Sequence, residues 1–129
     1  MDRLVKIAIV GSRNFANEAQ VRAFVHTFPA STVVVSGGAR GVDSWAASEA
    51  RKLNLGVLEF FAKWRDDDGA YNRAAGFDRN KDIVAAADRV VAFWDGLSKG
   101  TVNTISIARS QNKPVDVIMS EPIEVEEWE

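Results

Sequence analysis

Ser98, Lys99, Gly100 and Thr101 close the stretch Asp95-Gly-Leu-Ser-Lys-Gly-Thr, and their types and spacing describe a cradle for an oxyanion. The hydroxyls donate hydrogen bonds, Lys99 brings a full charge, and the glycines let the backbone come close to a ligand. A helix that begins at Thr101 adds N–H groups without intrahelical partners and a partial positive charge. Two further stretches share this character: Gly11-Ser12-Arg13, and Ser36-Gly37-Gly38-Ala39-Arg40-Gly41. In the second, Arg40 can make two parallel bonds to a phosphate. Arg13, Arg40, Arg79 and Lys99 would together concentrate positive charge. None of the loops is a Gly-x-Gly-x-x-Gly fingerprint, and Ser98-Lys99-Gly100-Thr101 is not a Walker A, because its lysine precedes the glycine.

These loops gain meaning from the elements that hold them. Leu4 to Val10, Thr32 to Val35, Val57 to Phe61, Val90 to Trp94 and Val115 to Met119 are apolar or β-branched runs of strand length. Helical spacing links Val21, Phe24, Val25 and Phe28 after a cap at Asn17. It also links Val42, Trp45, Ala46, Ala50 and Leu53, then Ile83, Val84 and Ala87 from about Asp78, and a last helix runs from Thr101 to near Asn112. Residues 62 to 76 are the least regular, with short helical turns expected. Strand and helix alternate, which predicts an α/β fold: a Rossmann-like three-layer sandwich on a mainly parallel five-stranded sheet. Ligands of such sheets sit beyond the carboxyl ends of the strands, where the strand order reverses. The three glycine loops all follow strands, so they would meet on one rim.

Length permits one domain, residues 1–120, followed by an acidic tail at 121–129. An apolar fraction of 47% and a charged fraction of 26% are ordinary for a globular chain. The formal charge of −2 offers no broad basic surface, which disfavours a nucleic-acid partner. There is no cysteine, so disulfides and thiolate metal sites are excluded. No run is long enough for a membrane span and no signal-peptide pattern is seen, so the expected compartment is cytoplasmic. Asp66-Asp67-Asp68 reads as a solvated turn rather than a cation site, and the single His26 as a surface residue, so no metal site or cofactor is assigned. Trp64, Tyr71 and Trp94 stand at or after strand ends, where a ring either stacks on a nucleobase or covers the edge of the core.

Gly11-Ser-Arg-x-Phe, Ser36-Gly-Gly-Ala-Arg-Gly-x-Asp43, Trp64, Ala75-Gly76-x-x-Arg79-Asn80, Asp88-x-Val-Val-Ala-Phe-Trp-Asp-Gly and Ser98-x-Gly-Thr-x-Asn-Thr-Ile105 occur in order. This set resembles the YspA-like, YpsA-related branch of the SLOG superfamily, from about residue 7 to 118. The resemblance implies a Rossmann-like sheet and a nucleotide-derived ligand. LOG-type phosphoribohydrolases, a related group, cleave the N-glycosidic bond of nucleoside 5′-monophosphates. Arg79, Ile83, Asp88, Gly100 and Thr101 match the spacing of that group's motif, but its glutamate position is Thr104 here. A threonine cannot stabilise a sugar cation or activate water as a carboxylate does. Asp43, Asp78 and Asp95 are the available substitutes, and no catalytic residue is assigned.

The leading expectation is therefore a protein that holds a nucleotide or an NAD/ADP-ribose-derived small ligand, sensing or processing it, in a phage-conflict setting as the superfamily resemblance implies. Its phosphate would rest on Ser98, Lys99, Gly100, Thr101 and Arg79 with Asn80. The remaining groups, Gly11, Ser12, Arg13, Gly37, Gly38, Arg40 and Gly41, would cover ribose or a second phosphate, with Asp43 or Asp95 accepting hydroxyl bonds. The alternative is an N-glycosidase on nucleoside monophosphates or NAD relatives. A second alternative is a DNA-binding module of the kind found in DprA proteins, which share the SLOG fold. Superfamily members commonly form homo-oligomers, and Trp128 near the C-terminus is compatible with that.

Overall fold

The computed structural model describes residues 4–122. Most of the acidic tail, including Trp128, lies outside these residues. Five strands, β1 (Val5–Gly11), β2 (Thr32–Ser36), β3 (Gly56–Glu59), β4 (Arg89–Trp94) and β5 (Val115–Met119), alternate with four helices. The helices are α1 (Glu18–Val25), α2 (Val42–Lys52), α3 (Ala75–Ala86) and α4 (Lys99–Ser110). All strand pairs are parallel, in the order β3-β2-β1-β4-β5. The order reverses between β1 and β4, so the loops that leave these two strands flank the switch point where α/β sheets bind ligands.

Alternation along the strands divides the core in two. Ile7 and Ile9 point to one face and pack with Val21, Val25, Ala46 and Phe93, whereas Ala8 and Val10 point to the other and pack with Ile83, Val84, Ile105 and Ala108. Helices α1 and α2 pack together on the first face, and α3 and α4 on the second. This is the three-layer α/β sandwich expected from the sequence. Central β4 is buried from Val90 to Phe93, as its continuous apolar run required. Edge strand β5 is largely open to solvent.

The structure corrects several boundaries. α1 stops at Val25, with His26 as its C-cap, although Phe28 still packs on the core. His26 Nε2 lies 2.6 Å from Glu49 Oε2 on α2, so this surface histidine has a partner. β3 ends at Glu59; Phe60 N–H still donates to the Ser36 carbonyl at 2.8 Å and its ring packs on the core, whereas Phe61 turns out to solvent. α3 begins at Ala75 and α4 at Lys99, each earlier than the apolar spacing suggested. Residues 62–74 hold hydrogen-bonded turns at 66–69 and 72–75 but no helix. Arg65 and Tyr71 form an antiparallel bridge that closes a tight turn through Asp66-Asp67-Asp68-Gly69. Among the described residues, no helix is long and apolar enough to cross a membrane. Nor does any cluster of three or more His, Asp or Glu among them suit a metal ion.

Candidate functional site

The rim above the carboxyl ends of β1 and β4 is assembled by hydroxyl and carboxylate bonds between distant loops. Ser12, at the exit of β1, is buried; its Oγ accepts the Asp95 N–H at 3.1 Å and lies 3.3 Å from Thr101 Oγ1. Asp95 Oδ1 accepts N–H bonds from Leu97 and Ser98, each at 2.8 Å, and these bonds hold its carboxyl below the usual aspartate range. Oδ1 thus shapes the loop, while the carboxylate as a whole borders the cleft. Ser98 then N-caps α4 without a side-chain cap bond. Val102 N–H donates to the Ser98 carbonyl at 3.3 Å, so the N–H groups of Lys99, Gly100 and Thr101 precede the helical ladder. A Cβ added at Gly100 would meet nothing within 4 Å, so the helix start is open.

Arg79 reaches this rim from α3. Its Nη1 donates to the Gly37 carbonyl at 2.6 Å and its Nε to Asn80 Oδ1 at 3.2 Å. Asn80 in turn donates to Asn103 Oδ1 at 3.1 Å and to the Gly100 carbonyl at 3.4 Å, joining α3 to α4. Burial lowers the Arg79 pKa, Asp43 opposes this, and Arg13 adds to it by like-charge repulsion. Asp43, in the first turn of α2, is buried. Its Oδ2 accepts the Ala39 N–H at 3.4 Å, while Oδ1 has no hydrogen-bond partner. Desolvation pushes its carboxyl up to about 6, against the opposing pull of Arg79 and of the N–H groups of Ala39, Gly11 and Gly37. Among the described residues, Arg13, Arg40, Arg79 and Lys99 form no ion pair with a carboxylate within hydrogen-bonding reach. Three arginines held near one another, offset only by the buried Asp43 beside Arg79, mark a place for an anion.

Of the residues singled out from the sequence, Gly11, Arg13, Asp43, Arg79, Asn80, Asp95, Ser98, Gly100 and Thr101 line one cleft of about 460 Å³. Gly37, Gly38 and Arg40 line an adjoining cleft of about 330 Å³, which Arg13 and Arg79 also border. Ser12, Gly41 and Lys99 line neither. Gly41 is required by packing: its φ is +81° and a Cβ would stand 2.8 Å from the Arg13 carbonyl oxygen. Gly11 is hemmed in the same way, since a Cβ there would lie 2.5 Å from the Phe93 carbonyl oxygen. Sequence reasoning left out Asn14 and Thr104, which also line the larger cleft. Thr104 Oγ1 donates to the Gly100 carbonyl at 3.2 Å, so the residue at the glycosidase glutamate position is engaged with its own helix. Phe61 lines the smaller cleft; with β3 assumed to extend through it, nothing marked it as a rim residue.

Fold and site together define a doubly wound α/β domain with an arginine-rich cleft at its topological switch point. A family model described as DNA recombination-mediator protein A matches residues 1–68, and the chain belongs to this family. No curated protein matches the sequence. DNA processing protein A (DprA) from Streptococcus pneumoniae superimposes with a TM-score of 0.78 at 18% identity, over 88% of this chain and 50% of that one. DprA from Helicobacter pylori, whose structure addresses its single-stranded DNA binding mode, gives 0.64 at 21% identity over 90% and 66% of the two chains. At these identities the likeness shows the fold. The chain spans half the length of the S. pneumoniae protein.

The family overturns two expectations: a nucleotide or NAD/ADP-ribose-derived small ligand as the bound molecule, and the argument against a nucleic-acid partner. The second rested on a formal charge of −2 for the whole chain. A net charge averages over the surface, whereas binding responds to the local field, and here Arg13, Arg40 and Arg79 converge with only Asp43 and Asp95, among the described residues, beside them in the two clefts, while Glu18, Glu49, Glu59 and the 66–68 turn line neither cleft.

Proposed function

We propose that this domain binds single-stranded DNA at the switch-point cleft, with Arg13, Arg79 and the start of α4 receiving backbone phosphates. The observation that carries the reading is the convergence of three arginines, with the buried Asp43 beside one of them, on an open helix N-terminus, in a chain of the DNA recombination-mediator protein A family. Helix starts of this kind hold phosphate through backbone N–H groups, and arginine adds a planar fork of donors. Ser98 supplies a neutral donor, Asn80 holds Arg79 and α4 in place, and Gly37, Gly38 and Arg40 extend the path into the second cleft. The narrower place in the YspA-like, YpsA-related branch rests on the sequence motifs alone.

A concave cleft of a few hundred cubic ångströms suits a flexible strand that can feed in one residue at a time. It presents no helix or ribbon able to enter the major groove of a duplex. Mobility shift with a labelled oligothymidylate, challenged by unlabelled single-stranded or duplex competitor, tests this. The single strand is expected to compete at far lower concentration than the duplex. Absence of a shift at low salt, or equal competition by duplex, would contradict the reading.

A further inference from the structure

Much of the chain's acidity lies in one short stretch. Residues 121–129, Glu-Pro-Ile-Glu-Val-Glu-Glu-Trp-Glu, hold five glutamates and no lysine or arginine. Residues 1–120 hold sixteen Lys and Arg against thirteen Asp and Glu, so their formal charge is +3 where the whole chain has −2. The start of the acidic stretch is fixed at the rim. All strands are parallel, so β5 runs out at the same end of the sheet as β1 and β4. Met119 pairs with Trp94, and a Cβ added at Gly96 would stand 3.6 Å from Met119 Cε, in the loop whose Asp95 and Leu97 line the larger cleft. Two side chains from the start of α1 then grip the departing backbone. Gln20 Nε2 donates to the Met119 carbonyl at 3.1 Å while its Oε1 accepts the Glu121 N–H at 2.9 Å. Asn17 Nδ2 donates to the Glu121 carbonyl at 3.3 Å.

Asn17 follows Arg13 by four residues, at most about 14 Å of chain. Beyond Glu121 the chain can span about 10 Å by Glu124 and about 28 Å by Glu129, so these glutamates can reach Arg13 and the cleft it lines. Arg13, Arg40 and Arg79 outnumber the two carboxylates, Asp43 and Asp95, that line the two clefts with them. A carboxylate accepts the parallel N–H bonds of a guanidinium as a phosphate does. We propose that the glutamates at 124–129 bind the arginine cleft in competition with single-stranded DNA, so that the chain carries its own displaceable inhibitor. The occupied site is that of the DNA-binding reading above, on which this rests. A segment tethered so close acts at an effective concentration on the order of millimolar, so a contact of that strength is enough to compete. A long strand displaces it by engaging more cations at once, and salt weakens both contacts.

The test combines Glu124→Gln, Glu126→Gln, Glu127→Gln and Glu129→Gln in the full chain, which keeps side-chain size and the anchor at Glu121. Oligothymidylate affinity, read by fluorescence anisotropy, should rise about three- to tenfold at low ionic strength, with a gain that shrinks as salt rises. In an Arg13→Ala/Arg79→Ala background the same four changes should alter affinity by less than about twofold, because the contact is already gone. An equal gain in both backgrounds would mean that the glutamates act through the general field, and would overturn the contact. A second readout needs no DNA. The Arg79 Nε–H resonance, whose proton is held by Asn80, should shift between the wild-type chain and the fourfold variant. Identical resonances, or unchanged oligothymidylate affinity, would overturn the proposal and leave DNA binding intact. A shifted resonance with no oligothymidylate binding by either protein at low salt would instead overturn the DNA reading and leave the contact standing.

Discussion

Arg79 Nη1 donates to the Gly37 carbonyl at 2.6 Å, linking the middle of α3 to the loop that leaves β2. One bond therefore fixes both the charge and the glycine loop beside it. With Nε bound to Asn80, three of the five guanidinium N–H groups are left for a ligand. Arg79→Ala should weaken single-stranded DNA binding by about 10- to 100-fold, the range for a charged hydrogen-bonding group. Arg79→Lys should fall between, since it keeps charge without the fork. Anisotropy titration at fixed salt measures both, and equal affinity for the three proteins would remove Arg79 from the site.

Asp43 makes a different prediction because its carboxyl is buried beside that arginine. In the unfolded chain it ionises near 3.8, whereas in the fold it holds its proton up to about 6. The folded state thus binds more protons between these values. Stability present below pH 3.8 is lost as pH rises through 6 and stays lost at neutral pH. Asp43→Asn should therefore stabilise the domain at pH 7 by about 1–3 kcal/mol, with a gain that shrinks towards pH 4. Urea denaturation at both pH values reads this directly. The same substitution should tighten DNA binding at pH 7 severalfold, by removing negative charge beneath a phosphate site.

Ser12 ties the β1 exit to the β4–α4 loop without lining either cleft. Ser12→Ala leaves the half-buried Asp95 N–H without its acceptor and should cost about 1–2 kcal/mol. Hydrogen exchange should show the Asp95 amide released faster than those in β4. An unchanged Asp95 amide would mean that the loop is held by other bonds.

Much of this arrangement was legible in the sequence. The apolar run at 90–94 specified a central strand, and glycine loops after three strands specified a shared rim. Folding brings Arg13, Arg79 and Gly100, residues far apart in the chain, onto one cleft. What local pattern could not reveal was which glycines face outward. Gly11 and Gly41 answer to neighbouring backbone, that of Phe93 on β4 and of Arg13 after β1, whereas Gly100 faces open space, and only tertiary packing distinguishes them. Likewise Phe61 reads as strand by composition, and the end of β3 at Glu59 turns it out to the rim. The partner was misjudged because a summed charge says nothing of where its terms sit.

Lys99 illustrates the same lesson. It looked like the natural phosphate ligand of its loop, yet it is exposed and lines neither cleft. Lys99→Ala should change DNA affinity by no more than about threefold, the scale of a peripheral screened charge. A loss as large as that of Arg79→Ala would place the phosphate on the outer side of α4.

The most direct measurement is the salt dependence of single-stranded DNA affinity for the wild-type chain and for Arg13→Ala/Arg79→Ala. The wild-type affinity should fall steeply with salt. The double variant should bind at least about tenfold more weakly, with a log–log slope shallower by about 0.7 for each phosphate that is no longer neutralised. A double variant with the wild-type affinity and slope would show that the strand binds elsewhere on the molecule.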